Sequence, residues 1–286
     1  MISRSVIAGA FITACRDELE APKPGNVHVY ASGHRMTAAQ FVDSAAAAAG
    51  PLCAPATRVG ARIRGAVEAT LRAVGANTNL GIVLLCAPLA AAAEREALEL
   101  RDALVGVLDD LAVCDAADAF AAIVQASPAG LGRAERHDVF APAQVTLKQA
   151  MAAAADRDCI ARQYVTGFAD VFDLGTRLHA AAATRWCEPK FATLAAYLGF
   201  LSRFPDSHIM RKHGADAAAA VRLTAMKFDA LLWSAQRPAD LLDELLAWDA
   251  ALKARGVNPG TTADLTVATL FIRRLQSVLP SGRNSG

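Results

Sequence analysis

The chain has 286 residues, with 29 Lys and Arg against 28 Asp and Glu, so its formal net charge is +1 at pH 7. A nearly neutral protein has no overall field that would attract nucleic acid or an acidic membrane surface, and we expect neither as a partner. Hydrophobic residues make up 54% of the chain but aromatic residues only 6%, and this balance favours packed helices over a sheet.

Helical patterns recur along the whole chain, and no stretch alternates as a strand does. Proline, glycine or a capping residue interrupts each pattern; Thr37 and Gln40, for example, form a capping box, and Pro51 is expected to close that helix. The predicted helices cover residues 5–20, 37–49, 58–74, 80–93, 95–111, a segment capped by Asp115 and ending at Ser127, 145–155, 159–182, 189–203, 215–235, 239–254 and 262–279. We therefore predict one all-α domain of about ten or more helices without a sheet, over residues 1–279, followed by a disordered tail at 280–286.

Six cysteines are scattered along the chain without a Cys-x-x-Cys pair. Because disulfide frameworks and zinc sites use closer or patterned spacings, we expect six buried thiols in a reducing, cytoplasmic environment. The segment from Ile12 to Cys15 is similar to a lipoprotein cleavage box, which leaves export open. The charged residues that follow Cys15 continue the helical pattern, however, and favour a first helix.

Five irregular segments interrupt the helices, and each contains polar side chains. They cover residues 22–26, 77–81, 130–138, 206–214 and 258–264. Asparagine, threonine and glycine just before a helix leave backbone N–H groups free at its positive end, which suits phosphate. Any one of these segments taken alone also fits an ordinary helix cap.

Charged residues and histidines are concentrated in the same segments. Lys23, Arg211 and Lys212 could neutralise a polyphosphate, and an aspartate at 138, 206 or 264 could hold Mg²⁺ against it. Histidines 34, 208 and 213 could donate to phosphate or transfer protons. For each group the alternative is a solvated surface charge or a structural histidine. The chain has no Walker-type phosphate loop and no dinucleotide glycine fingerprint.

Several motifs occur together in a fixed order. They are Glu20-x-Pro22-Lys23-Pro24-Gly25-Asn26-Val27, Gly33-His34-x-Met36, Phe41-x-x-Ser44-Ala45, Asn77-Thr78-x-x-Gly81 and Ala263-Asp264-Leu265. The combination resembles the triphosphoribosyl-dephospho-CoA synthase family over residues 10–275. Segments 126–139 and 206–214 are most similar to its archaeal-like branch, outside the citrate lyase and malonate decarboxylase operon enzymes.

The resemblance implies an all-α enzyme that transfers the 5-triphosphoribosyl group of its substrate ATP to a hydroxyl of dephospho-CoA or a related cofactor precursor, releasing adenine. Breaking the N-glycosidic bond needs an acid for adenine and a carboxylate near the sugar. The triphosphate needs a cationic cradle assisted by Mg²⁺.

The resemblance also assigns roles to residues. Seven of these residues are expected to share one cavity: Glu20, Lys23, His34, Asn77, Asp206, Arg211 and Asp264. The predicted catalytic residues are Glu20, His34, Asp206 and Asp264; the predicted nucleotide-binding residues are Lys23, Gly25, Asn26, Asn77, Thr78, His208, Arg211 and Lys212; the predicted magnesium ligands are Asp138 and Asp264. We expect Thr262 to cap the last helix, which would place Asp264 in its first turn.

Two other classes of function stay open: a different ATP-using reaction (phosphoryl transfer or N-glycosidic hydrolysis) in one-carbon or pterin-type cofactor biosynthesis, and a non-catalytic helical nucleotide-binding protein. Release of adenine, release of ADP, or binding without turnover would distinguish the three classes. Arg35 stands where the citrate lyase-type enzymes have an acid, and 258–262 also differs from them. Both differences concern the acceptor, whose identity the sequence leaves open, and a homodimer is compatible with the sequence.

Overall fold

The computed structural model describes residues 2–34, 36–95 and 99–279 of the chain. Within these ranges it contains fourteen α-helices and no strand, which confirms the all-α prediction. Arg35 and the predicted tail at 280–286 lie outside the described residues. The helices are α1 (Arg4–Leu19), α2 (Ala38–Leu52), α3 (Val59–Val74), α4 (Leu80–Ala93), α5 (Leu100–Asp109), α6 (Val113–Ala126), α7 (Leu147–Ala152), α8 (Cys159–Thr166), α9 (Thr176–Trp186), α10 (Pro189–Arg203), α11 (Ser207–His213), α12 (Ala215–Ser234), α13 (Leu242–Ala254) and α14 (Gly260–Val278).

The helix ends agree best with the sequence where a local signal sets them. Thr37 and Gln40 form the predicted capping box of α2, since the Thr37 side chain accepts from the Gln40 N–H and the Gln40 side chain accepts from the Thr37 N–H. Gly75 ends α3 in the left-handed conformation, with φ of 69°. Pro189 is the first residue of α10, where its missing N–H has no cost.

Several predicted boundaries are wrong. Pro51 lies inside α2 rather than closing it. The predicted helix 159–182 is divided, because Gly167 ends α8 with φ of 62° and a π-helical segment, Asp170–Gly175, precedes α9. Asp115 is the third residue of α6 and not its N-cap, although its carboxylate accepts from the Ala112 N–H at 3.0 Å.

Two further differences change how the site is built. Residues 206–214 do not form a polar loop, because Asp206 caps the short helix α11. The expectation that Thr262 caps the last helix is wrong, because α14 begins at Gly260 and Thr262 lies inside it. Asp264 is therefore in the second turn of α14 and not in the first. The helix dipole, which favours a carboxylate in the first turn, therefore does not explain the position of Asp264.

Two apolar clusters form the core. The first surrounds α4, in which nearly every side chain is buried, and includes residues of α1, α3, α5 and most of α14. The second joins α10 to α9, α12 and α13. Helix α14 contributes Leu265 to the first cluster and Ala263 to the second, so the start of α14 lies where the two clusters meet.

All six cysteines are free thiols, in agreement with the absence of a disulfide pattern. The expectation that all are buried is wrong for Cys114 and Cys187, which are exposed, and for Cys159, which is half-buried. Among the helices of the described residues, none is both long and apolar enough to cross a membrane.

Candidate active site

A cavity of about 710 Å³ lies at the first turns of α4, α8, α11 and α14, beside the loop that follows α1. Its size is that of a typical small-molecule site. Polar groups of five kinds line it: the carboxylates of Glu18, Asp138, Asp158 and Asp264; the cations of Arg136, Arg157, Arg211 and Lys212; histidines 34, 137 and 208; the amides of Asn26, Asn77, Asn79 and Asn258; and the hydroxyls of Thr78, Ser127, Ser207 and Thr261. Apolar side chains of α2, α4, α6 and α7 cover the remaining wall.

Most of the residues proposed from the sequence meet at this cavity. His34, Asn26, Asn77, Thr78, Asp138, His208, Arg211, Lys212 and Asp264 line it, although they span most of the chain. The cavity lining does not include Glu20, Lys23, Gly25 or Asp206. The expectation of one shared cavity is therefore wrong for Glu20, Lys23 and Asp206.

Glu20 and Lys23 lie outside the cavity lining for opposite reasons. Glu20 is the exposed residue that caps the C-terminal end of α1. Lys23 is fully buried, and its ammonium is paired with Glu18. The same ammonium donates to Asn26 Oδ1 at 3.2 Å and to the Val27 carbonyl at 2.9 Å. All three of its protons therefore have protein acceptors, which corrects the expectation that Lys23 meets a phosphate.

Gly25 shapes the loop and does not bind through a side chain. Its φ is 83°, and an added Cβ would lie 2.8 Å from Pro259 and 2.9 Å from Leu252. The Gly25 N–H donates to Asp249 Oδ1 at 2.8 Å, and its carbonyl lies 2.8 Å from His34 Nε2. Only glycine fits this close approach, and the approach holds the His34 ring against the loop.

His34 is positioned at the cavity by the backbone as well as by this hydrogen bond. Its φ of 56° lies in the left-handed region, which non-glycine residues rarely adopt. Burial lowers its pKa, which favours the neutral ring. A neutral ring whose Nε2–H donates to the Gly25 carbonyl keeps Nδ1 as an acceptor.

A buried polar cluster supports the loop from behind. Asp249 Oδ2 accepts from Lys253 Nζ at 2.9 Å and lies 3.3 Å from His28 Nε2, while Oδ1 holds Gly25. The Tyr197 hydroxyl donates to the Pro24 carbonyl at 2.8 Å. The loop is thus fixed by contacts from α10 and α13.

Asp206 joins two helix N-termini. Its Oδ1 accepts from the Ile209 N–H at 3.0 Å, which caps α11. Its Oδ2 accepts from the N–H and from the hydroxyl of Thr262, each at 2.8 Å. A carboxylate with these protein donors is positioned to organise the cavity floor, so the structure places Asp206 beneath the site and not in it.

Asp264 faces the cavity, close to the start of α4. No hydrogen-bond donor contacts its carboxyl group among the described residues. Gly81 permits this position, because a Cβ there would lie 2.0 Å from Asp264 Oδ2. Burial raises the pKa of Asp264 well above its usual value, Asp206, Glu18 and Asp158 raise it further, and Arg211 opposes them.

Two cations and a histidine extend along α11. Arg211 donates to Asp158 Oδ2 at 3.2 Å, and Lys212 Nζ lies 3.3 Å from the Gly256 carbonyl. Neither is deeply buried, so both can reach a ligand. Burial lowers the pKa of His208 to about 4, and the cations of Arg211 and Lys212 lower it in the same direction.

Comparison with known proteins identifies the family. The family model for ATP:dephospho-CoA triphosphoribosyl transferase matches residues 4–282, which is nearly the whole chain. The chain belongs to this family. Members of the family are transferases that use ATP and dephospho-CoA. This protein is therefore a transferase.

One solved structure supports the same fold. The crystal structure of an Archaeoglobus fulgidus protein, described as a triphosphoribosyl-dephospho-CoA synthase, is similar to this structure. The TM-score is 0.62 and the sequence identity is 24%. The match covers 80% of this chain and 95% of that chain. Among curated protein sequences, none matches this chain.

The two predicted magnesium ligands, Asp138 and Asp264, differ in whether their oxygens already accept hydrogen bonds from the protein. Both oxygens of Asp138 already accept backbone N–H groups, from Ala134 at 3.0 Å and Phe140 at 2.8 Å. These bonds lower the pKa of Asp138 and fix the turn. Among the described residues no three His, Cys, Asp or Glu side chains converge as a metal-binding group.

Sequence reasoning missed four charged residues that line the cavity: Glu18, Asp158, Arg136 and Arg157. A signal for Glu18 was present, because it lies on the buried face of α1 that also carries Ile7, Phe11, Ala14 and Cys15. An acid on an apolar face needs a partner or a function. Arg136 lies in the polar segment 130–138 and Asp158 is the N-cap of α8, so a position beside a helix break was the available signal for both, whereas Arg157 had none.

Proposed function

We propose that this family member transfers the 5-triphosphoribosyl group of ATP to a hydroxyl of dephospho-CoA or a closely related cofactor precursor, and that it releases adenine. The observation that carries the proposal is the single cavity in which four cations and four carboxylates meet. Cations are required by the triphosphate, and carboxyl groups are required where a glycosidic bond breaks. The family membership supplies the substrates.

The cations of α11 are the proposed contacts for the triphosphate. Arg211 and Lys212 are partly or fully exposed toward the cavity, and Arg136 and Arg157 line it from the preceding segments. Guanidinium groups bind phosphate oxygens in a bidentate manner. Asn26, Asn77 and Thr78 add neutral polar groups, although Asn77 Oδ1 also accepts from the Leu80 N–H at 3.2 Å and Thr78 donates to Ser44 at 2.6 Å.

Asp264 is the proposed proton donor to adenine. A half-buried carboxyl group that has no donor among the described residues and three acidic neighbours keeps its proton to higher pH than a solvated one. Such a group can protonate the leaving base as the bond to C1′ breaks. His34 and His208, both with lowered pKa, are neutral hydrogen-bonding groups in this arrangement.

Magnesium is proposed to enter on the triphosphate. The described residues form no group of three carboxylate, histidine or cysteine side chains that would hold the ion alone, so the triphosphate oxygens would supply most of its ligands. The ion would neutralise phosphate charge that the cations leave uncompensated. A cytoplasmic location and a homodimeric assembly remain predictions of the sequence.

The test is to incubate the purified enzyme with ATP, Mg²⁺ and dephospho-CoA and to separate the products by chromatography. We expect free adenine and a triphosphoribosylated acceptor in equal amounts. ADP in place of adenine would indicate phosphoryl transfer, and adenine with free triphosphoribose would indicate hydrolysis. A parallel reaction with a pterin-type acceptor identifies the case in which only the acceptor differs.

A further inference from the structure

Glu18 occupies the last turn of α1, and its side chain reaches the cavity from the apolar core. The residue is only 4% exposed, yet it lines the cavity. One carboxylate oxygen, Oε1, is paired with the Lys23 ammonium. The second oxygen, Oε2, has no hydrogen-bond partner among the described residues. Oε2 does not belong to the fully buried side-chain atoms that lack a partner, so it is open to the cavity and can accept from a bound molecule.

Lys23 holds Glu18 in one orientation. The ammonium is fully buried and has three acceptors, namely Glu18, the Asn26 side chain and the Val27 carbonyl. The backbone that carries Lys23 is stiff, because proline precedes and follows it. Neither partner can turn away without leaving the other charge buried and unpaired.

We propose that Glu18 is the general base that takes the proton of the acceptor hydroxyl, and that Lys23 is its positioning residue. This proposal rests on the proposed function. The bond from C1′ to the adenine nitrogen breaks, and its electron pair leaves with adenine. Asp264 gives its proton to the leaving adenine. The hydroxyl oxygen forms the new bond to C1′, and its proton moves to Glu18 Oε2. Solvent returns both carboxyl groups to their starting states, so no further reactant is needed.

The charges around Glu18 explain why the pairing matters. Burial raises the pKa of Glu18, and the Lys23 ammonium lowers it by charge and by hydrogen bonding. The other titratable groups around it are Cys15 on the same helix, Asp264 on α14 and Tyr197 on α10. None of these is a cation. Burial outweighs the pairing, so the pKa of Glu18 lies above its usual value, and Lys23 is the paired cation that favours the ionised form that a general base needs.

The first experiment compares Glu18→Gln with Glu20→Gln. Glu20 lies two residues away on the same helix end, exposed and outside the cavity lining, so it is a matched control. We expect Glu18→Gln to lower kcat for adenine release by about 10²- to 10⁴-fold, with ATP affinity nearly unchanged. Glu20→Gln should behave as the wild type. A Glu18→Gln enzyme with wild-type kcat overturns the proposal.

The second experiment tests the positioning role through the pH profile. In Lys23→Met the pKa of Glu18 should rise, so the acid limb of the kcat profile should shift to higher pH, a shift that a merely structural loss would not produce. An acid limb at the wild-type pH in an active Lys23→Met enzyme overturns the role of Lys23. If Lys23→Met does not fold, Glu18→Gln decides the proposal alone. If the wild type releases no adenine, the proposed function is overturned as well. If the wild type is active and Glu18→Gln is equally active, only this inference is overturned.

Discussion

Replacing Gly81 by alanine should lower kcat strongly while the protein stays folded. Gly81 is the second residue of α4, and an added Cβ would lie 2.0 Å from Asp264 Oδ2 and 2.5 Å from its Cγ. Ordinary contact begins at 3.4 Å, so the carboxyl group must move by about 1.4 Å. The Ile160 Cδ1 atom, at 2.8 Å, closes part of the space on the same side.

The effects on rate and stability have different sizes. A misplacement of about 1 Å can lower the rate about 100-fold, and we expect that loss in kcat for adenine release. Alanine is favoured over glycine inside a helix by up to about 1 kcal/mol, which offsets part of the strain. The clash is with the end of a flexible side chain, so we expect Tm to change by only a few degrees.

The matched control is Gly9→Ala in α1, where an added Cβ meets nothing within 4 Å. It should raise Tm slightly and leave kcat unchanged. The double variant Gly81→Ala with Asp264→Asn should lose no more rate than Asp264→Asn alone, because both changes act on the same group. Adenine release followed by chromatography and thermal unfolding followed by circular dichroism give the two readouts. A Gly81→Ala enzyme with wild-type kcat would refute the placement of Asp264.

Three further predictions concern charged groups. Lys23→Met should lower the free energy of unfolding in urea by about 3–5 kcal/mol because it leaves Glu18 buried without its cation, whereas Lys190→Met at a partly exposed pair should change it by less than about 1 kcal/mol. Arg211→Ala should weaken ATP binding by about 1.5–3 kcal/mol in calorimetry with little change in unfolding, and unchanged affinity would remove Arg211 from the phosphate site. Because the folded-state pKa of Asp264 is raised, the wild type should lose stability relative to Asp264→Asn as pH rises above the ordinary aspartate value; a difference in Tm that does not grow with pH would contradict the shift.

The parts of the fold that follow from nearby residues were predictable. A capping side chain, a left-handed glycine and a first-turn proline act over one helical turn, so Thr37, Gly75 and Pro189 set their boundaries in sequence and in structure alike. The break after α8 was not predicted because 159–182 is a continuous helical pattern apart from Gly167 and Gly175. A glycine inside such a pattern is often tolerated, and only the structure shows the φ of 62° at Gly167.

The composition of the site was predictable to a lesser degree, because motif order shows which loops meet but not which side chains face the cavity. Asp206 and Asp264 are both acids beside a helix start in the sequence. Two N–H groups and a hydroxyl from α11 and α14 bind Asp206, while the carboxyl group of Asp264 is left to the cavity. Donors from another helix decided this difference, and no local pattern indicates them.

Lys23 and Arg211 show why burial has to be known before a cation is assigned to a ligand. Both belong to the polar segments, and both were expected to meet phosphate. Lys23 lies between prolines in a loop that Tyr197 and Asp249 hold against the core. Its ammonium turns inward to Glu18, in the last turn of α1. Arg211 lies on a short surface helix, where its pair with Asp158 is partly exposed and can be exchanged for a ligand. An ammonium with no solvent contact and three protein acceptors would have to abandon Glu18 to bind phosphate, at a cost greater than a surface phosphate contact returns. The contribution of Lys23 to the reaction must therefore pass through Glu18.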